Sequence, residues 1–325
     1  MSGEMMALLS ALLWAITSVL LAVGAKRLDV VPLNLVRCTV STIFFVSLLP
    51  FFGGIQALAD LTPSNWLWLI VSVLALLVVG DTLYFRSMDL AGVSWTMPVS
   101  SINPLWSVFL AAIFVGEPLT WSLLGGAVLV VLGTVVVSRS AGQAGAVVPS
   151  SPAHAAGIPG ALAAQTAATK DAEKRRKGGR AREPGDRRKG LLLALLVSVM
   201  WAVGAVAIKP ATAGVHSVVA NSVRQPLAML MLLGLTLFRG QWGELREVDA
   251  KSWWIIIGAS LIGTGLGSLV FVMAVQLAGA GRAAVLMATS PLLAIPFSMM
   301  WLQERPTRWT LVGTILTAAG IAMVV

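Results

Sequence analysis

The sequence predicts an all-α integral membrane protein of ten transmembrane helices, arranged as two inverted five-helix repeats. Three observations predict it. Hydrophobic residues make up 57% of the chain and charged residues 11%, whereas a soluble domain carries roughly 25% charged residues. Apolar runs near the ~20 residues that cross a bilayer recur throughout. They are continuous, not alternating as in a membrane β-barrel. Finally, the chain occurs twice. At an offset of 187 residues Trp14 falls on Trp201, Asn34 on Asn221, Arg37 on Arg224, Trp66 on Trp253 and Gly80 on Gly267. Further along, Leu90-Ala91-Gly92 falls on Leu277-Ala278-Gly279, Pro104-Leu105 on Pro291-Leu292, Glu117 on Glu304, Gly126 on Gly313 and Gly133 on Gly320. No gap is needed between the first match and the last. A duplicated membrane domain is the sequence signature of secondary transporters.

In chain order the apolar runs place spans at about 5–24, 33–52, 66–88, 95–115 and 120–138, then 190–209, 217–238, 252–277, 282–302 and 307–325. Pro32, Pro63, Pro118 and Pro306 sit near starts, where a missing N–H costs little. Pro98, Pro104, Pro226, Pro291 and Pro296 lie inside spans and predict kinks, whose freed carbonyls are satisfied by neighbouring helices or a water-filled cavity. Residues 1–138 and 190–325 form the two repeats. Residues 139–189 between them are rich in Ala, Gly, Ser and Pro and then strongly basic, from Lys174-Arg175-Arg176-Lys177 to Arg187-Arg188-Lys189. Such a composition cannot build a packed core and predicts a disordered linker. Its charge fits a solvated segment near acidic lipid headgroups better than a nucleic-acid site.

Five helices per repeat is an odd number, so matching helices cross the membrane in opposite senses. Loop charge agrees. Lys26, Arg27 and Arg86 lie at or just beyond the ends of the first and third spans; Arg239, Arg246, Lys251, Arg305 and Arg308 follow the seventh and ninth. In this topology all of them share one face with the linker. The positive-inside rule makes that face cytoplasmic and turns both termini outward. Lys209 and Arg282 are the exceptions.

The repeated landmarks resemble the EamA-type, ten-helix members of the drug/metabolite transporter superfamily. The carrying features are Asn34-Leu-Val-Arg37 and Asn221-Ser-Val-Arg224, Gly80-Asp81-Thr82-Leu83-Tyr84-Phe85 with Leu90-Ala91-Gly92, and Gly116-Glu117-Pro118-Leu119-Thr120 with Gly126 and Gly133. The second half repeats them as Pro291, Glu304-Arg305-Pro306-Thr307, Gly313 and Gly320. The resemblance covers both halves outside the linker. It implies two repeats around a central cavity with alternating access, a small-molecule substrate and a lipid environment. It also implies cytoplasmic termini, opposite to the charge reading.

Polar residues inside the spans are the site candidates. Asp81 lies deep in the third span, where a carboxylate costs roughly 3 kcal/mol on insertion scales. It reads as a proton-coupling or substrate-amine site, or as one half of an internal ion pair; Tyr84 lies one turn on. Arg37 and Arg224 offer guanidinium forks suited to an anionic substrate group. The competing reading, favoured by their place in the general family pattern, is a structural bond or snorkelling to the interface. Asn34 and Asn221 lie one turn earlier on the same faces. Trp14 and Trp201 read as a cavity wall or as packing. Ser101, Asn103 and Ser290, near the fourth- and ninth-span prolines, bind substrate or bridge helices. Lys209 has no counterpart in the first half, where Ala22 stands, and is a specificity candidate. Glu117 and Glu304 read as structural acceptors of N–H groups at the start of the next helix.

No Walker A motif is present, which argues against direct ATP use. His154 and His216 are too few and too separated for a metal site. No paired-carboxylate, histidine-rich or serine–base pattern points to an enzyme, and no cofactor is implied. The sequence therefore predicts a plasma-membrane secondary transporter, an exporter of small organic metabolites such as amino acids. A flippase for lipid or lipid-linked sugar on the same scaffold is the alternative. Nothing in the sequence assigns an oligomeric state.

Overall fold

The computed structural model describes residues 2–24, 28–144, 184–301 and 308–325. Their secondary structure is helical throughout. The first half contains α1 (Gly3–Gly24), α2 (Val30–Leu48), the short α3 (Gly54–Ala59), α4 (Pro63–Val73), α5 (Asp81–Ala91), α6 (Val93–Ser100), α7 (Asn103–Leu110) and α8 (Trp121–Ala144). The second contains α9 (Pro184–Ala211), α10 (Ser217–Phe238), α11 (Ala250–Ser260), α12 (Ser268–Ala278), α13 (Ala280–Met287), α14 (Ser290–Trp301) and α15 (Arg308–Val324). Among the described residues, seven helical stretches are long and apolar enough to cross a membrane, and the shorter stretches Pro63–Leu76, Trp121–Val137 and Arg308–Val324 are also apolar.

The sequence offset reappears in the backbone. Helices α4, α5 and α6 lie 187 residues before α11, α12 and α13 at both ends. The third span, predicted as one run over 66–88, is instead α4 and α5 joined by a π-helical stretch, Leu74–Gly80; Leu261–Gly267 repeats it between α11 and α12. Gly92 and Gly279, at φ +87° and +93°, turn the chain into α6 and α13 in a conformation that penalises any Cβ. The start of α4 is fixed by a capping box, with Thr62 and Asn65 bonding each other's backbone N–H. Asp249 holds the start of α11 by accepting from the Ser252 N–H. The predicted 95–115 span breaks between α6 and α7, just before Pro104. Helical order also extends into both ends of the expected linker, to Ala144 and from Pro184, and Arg187 lies 3.8 Å over the Trp95 ring. Residues 145–183 of that linker lie outside the described residues, as do Lys26, Arg27 and Glu304.

The two halves interleave. Helix α1 packs on α11, α12 and α14 of the other half, and its counterpart α9 packs on α4, α5 and α7. Helices α2 and α10 lie side by side. Helices α8 and α15 form the closest seam, built on glycine. A Cβ added at Gly126 would sit 2.7 Å from the Gly320 carbonyl oxygen, and one at Gly133 would sit 2.6 Å from that of Gly313. Backbones this close gain dispersion contacts that larger residues would block.

Contacts between helix ends define two faces. On the N-terminal face Arg282 pairs with Glu4 at 3.2 Å and the Asn65 amide donates to the Ala211 carbonyl. Also there, Glu117 accepts from the N–H groups of Ala280 (2.6 Å) and Gly281 (3.0 Å). Glu117 therefore caps a helix of the opposite repeat, not the helix that follows it. On the opposite, linker face Ser87 donates to the Gly190 carbonyl, and Gln241 and Glu244 bond Asp29 at the start of α2. The outer surface carries large exposed apolar side chains, among them Phe51, Ile55, Trp121, Phe238 and Trp254. A continuous apolar exterior of this kind suits lipid.

Candidate functional site

A polar stripe runs down the inner side of α10. Ser217, Asn221, Arg224 and Gln225 recur at helical spacing and all are buried. Asn221 organises them. Its amide donates to the Ser217 carbonyl (2.9 Å), and its Oδ1 accepts from Ser268 of α12 (2.9 Å) and, at 3.4 Å, from Arg224. Arg224 Nε donates to Ser72 of α4 (3.1 Å), and the Gln225 amide approaches Ser268 at 3.4 Å. One small network thus links the third, seventh and eighth predicted spans. Arg224 is 5% exposed.

The repeat-related Arg37 is equally buried, and its guanidinium carbon lies 5.1 Å from the Trp14 ring centroid, in cation–π range. Trp14 presses its indole edge on Gly267, and Trp201 presses on Gly80 in the same way. The Nε1 atoms of both tryptophans are buried without a hydrogen-bond partner among the described residues, as is the Asn34 Oδ1. Tyr84 stacks obliquely on Trp201, ring centroids 5.0 Å apart. The structure therefore joins Trp14 with Arg37, Trp201 with Tyr84, and Asn221 with Arg224.

Other candidates stand apart. Lys209 donates to the carbonyls of Val275 (3.2 Å) and Gln276 (2.7 Å), the end of α12, where a cation offsets the negative helix end. Ser101 donates to the Met97 carbonyl one turn back. Asn103 and Ser290 start the repeat-related helices α7 and α14, are buried, and share no hydrogen bond with the α10 network. Asp81 begins α5, but its side chain lies outside the described residues.

The sequence reading assigns no role to Ser72, Ser217, Gln225, Ser268 or Gln276, the last two of which stand one repeat after Asp81 and Asp89. The spacing of Ser217, Asn221, Arg224 and Gln225 was the available signal, a polar stripe in an otherwise apolar helix. Gln276 ties the α9–α10 turn to α12: its Oε1 accepts from Ser217 (2.7 Å), and its amide donates to the carbonyls of Val215 (2.8 Å) and Thr212 (3.3 Å). With Lys209 it ties the ends of α9, α10 and α12 together on the N-terminal face.

The linker face is different. A groove of ≈ 400 Å³ separates Leu74 and Thr82 from Met231, Leu232, Gly234, Leu235 and Phe238 of α10. Helix α10 packs along α4 but not comparably along Leu74–Gly80, whereas α2 packs on both α11 and Leu261–Gly267.

Comparison with known proteins agrees with this architecture. The EamA-like transporter family matches residues 1–139 and 188–325. An "uncharacterized transporter" of Archaeoglobus fulgidus is 24% identical over 302 residues, spanning 93% of this chain and 90% of that protein. An "uncharacterized transporter in cobO 3'region" from Sinorhizobium sp is 27% identical over 127 residues, 39% of this chain and 89% of its own length. A solved crystal structure shares the fold with a TM-score of 0.72 at 17% identity, covering 99% of this chain and 94% of that one. The family match embraces both halves of this apolar, multi-helix membrane chain, and the chain belongs to the EamA-like transporter family.

Proposed function

We propose that the protein is a secondary-active transporter, an exporter of small organic metabolites such as amino acids, working by alternating access between inverted five-helix repeats in the plasma membrane. The carrying observation is the reciprocal packing of the repeats around buried polar side chains. In this reading the seven long apolar stretches and the three shorter ones each cross the membrane once, ten crossings in all. Every end-to-end contact described above then pairs helix ends that ten alternating crossings put on the same side. That arrangement is what an odd-numbered, inverted repeat requires.

In this reading substrate binds at mid-membrane among Arg37, Arg224, Asn34, Asn221 and the paired aromatics. Rocking of one repeat against the other moves access between the faces. The N-terminal face is closed by Lys209 and Gln276, and the linker face opens through the groove beside α10. Loop charge assigns the linker face to the cytoplasm. Asp81 is the proposed proton-coupling residue. The apolar lining of the groove, with the strongly exposed Phe238 at its rim, favours a second reading, a flippase for lipid or lipid-linked sugar.

Counterflow in liposomes tests both. Saturable exchange of one solute class from a panel of amino acids, nucleosides, sugar phosphates and quaternary amines is the expected result. A pH-gradient effect that Asp81→Asn removes supports coupling through Asp81. No solute exchange together with fluorescent-lipid scrambling would replace the exporter with the flippase.

A further inference from the structure

The two repeat-related arginines differ in what can neutralise them. In the first half the sequence carries an acid, Asp81, at the position where the second half has Ser268. In the structure Ser268 is the residue that faces the Asn221–Arg224 pair. Arg224 accordingly donates to neutral oxygens, Ser72 Oγ and Asn221 Oδ1, and among the described side chains it forms no ion pair. A guanidinium stays charged in proteins. Buried in a membrane bundle without a counter-ion, it costs several kcal/mol.

A purely structural link from α10 to α4 would need one neutral donor, which a glutamine supplies. The cation is therefore in excess of what the helix contacts require. It is also held in place. Nε and one terminal nitrogen are engaged, and Asn221 is itself fixed from both sides by Ser217 and Ser268. The remaining N–H groups of the fork make no hydrogen bond to another described residue.

From this geometry we propose that Arg224 is the anion-recognition residue of the transport site, and that the substrate carries an oxyanion, carboxylate or phosphate, which supplies the missing charge. The inference rests on the transporter reading and narrows its substrate class. Arg37, seated on Trp14, is its repeat counterpart in position but not in this role. The stripe on α10 orients the fork.

The test uses the purified full chain in detergent and solute pairs matched in size: glutarate with glutaramide, lactate with lactamide, glycerol phosphate with glycerol, and choline as a cation. Thermal stability is read first, then counterflow in liposomes. The expected result is that the anionic member of at least one pair raises Tm and exchanges, while its neutral partner does neither. Comparison of glutarate and lactate with glycerol phosphate separates carboxylate from phosphate. Arg224→Gln is expected to weaken anion binding roughly 10- to 100-fold, the loss of one or two charge-assisted hydrogen bonds. Its Tm without ligand should equal or exceed that of the native chain, because the uncompensated buried charge is gone. Arg224→Lys, which keeps the charge without the fork, should fall between, and it provides the binding comparison if Arg224→Gln misfolds. Native-like anion exchange by Arg224→Gln, or exchange of only neutral or cationic solutes, overturns the assignment while leaving a transporter. Exchange of no solute at all overturns both readings.

Discussion

The gap between α10 and the Leu74–Gly80 stretch has a repeat-related counterpart between α2 and Leu261–Gly267, and the two are not alike. The α2 gap is shut, with Phe44 lying against Gly265. The α10 gap is a groove in which Met231, the counterpart of Phe44, lines the wall and a Cβ added at Gly234 would meet nothing within 4 Å. The sequences account for the difference. The closed side reads Leu-Ile-Gly-Thr-Gly-Leu-Gly, and the open side Leu-Ala-Leu-Leu-Val-Val-Gly. Glycine lets a neighbouring helix approach where leucine and valine hold it away.

Toward α1 and α9 the same residues have exchanged bulk instead. Thr17 fits on Gly263, and Leu76 fits on Gly204, its mirror position. Both of those seams are closed. Divergence between the repeats thus biases one gap and leaves the others balanced. In the alternating access proposed above, such a divergence sets which gap is open at rest.

Locking the groove should have the largest effect. In a Cys38→Ala background, a Thr82→Cys/Leu235→Cys pair should lose nearly all solute exchange on oxidation and regain it on reduction. Undiminished exchange by the oxidised pair would mean the groove does not open and close during turnover. Next comes Gly265→Val, which gives the closed side the residue found at Val78. Its methyl groups meet Phe44, so α2 should part from Leu261–Gly267 and thiols placed there should react faster with a water-soluble maleimide.

Gln276→Leu removes three hydrogen bonds from the N-terminal face, a loss of about 1–3 kcal/mol at typical net values. It should raise the population open to that face by roughly tenfold, and thiol labelling at Ser217→Cys would measure it. Glu117→Gln should have the smallest effect. It keeps an acceptor for only one of the two N–H groups, since an amide has a single oxygen, and it removes the charge at the start of α13; together these are worth about 1–2 kcal/mol, and Tm should fall by a few degrees without a change in the labelling pattern.

Much of this architecture was legible because the repeat tells its own story. One offset located matching helix starts, and apolar length supplied the spans. The break inside the third span was not legible, because the stretch around Gly80 is as apolar as its flanks and hydropathy does not register a change from α- to π-helical bonding. The partner of Glu117 was hidden for another reason. A cap is decided by which helix end lies nearest in space, and for Glu117 that end belongs to the other repeat. Lys209 was singled out for its asymmetry, and in the structure it bonds the carbonyls that end α12. The arginines were visible at once. The absence of an acid beside Arg224 required the structure, since only there does Ser268 stand at the position facing it.

The most direct test of the account is a pair of spin-label distances in the reconstituted protein, one across the groove (Thr82 to Leu235) and one across its repeat counterpart (Leu269 to Leu48). Exchange between two conformations built from inverted repeats predicts opposite changes. The population that shortens the first distance lengthens the second, and the two populations shift together when a transported solute is added. Two fixed distances, or two that lengthen together, would contradict alternating access through these gaps.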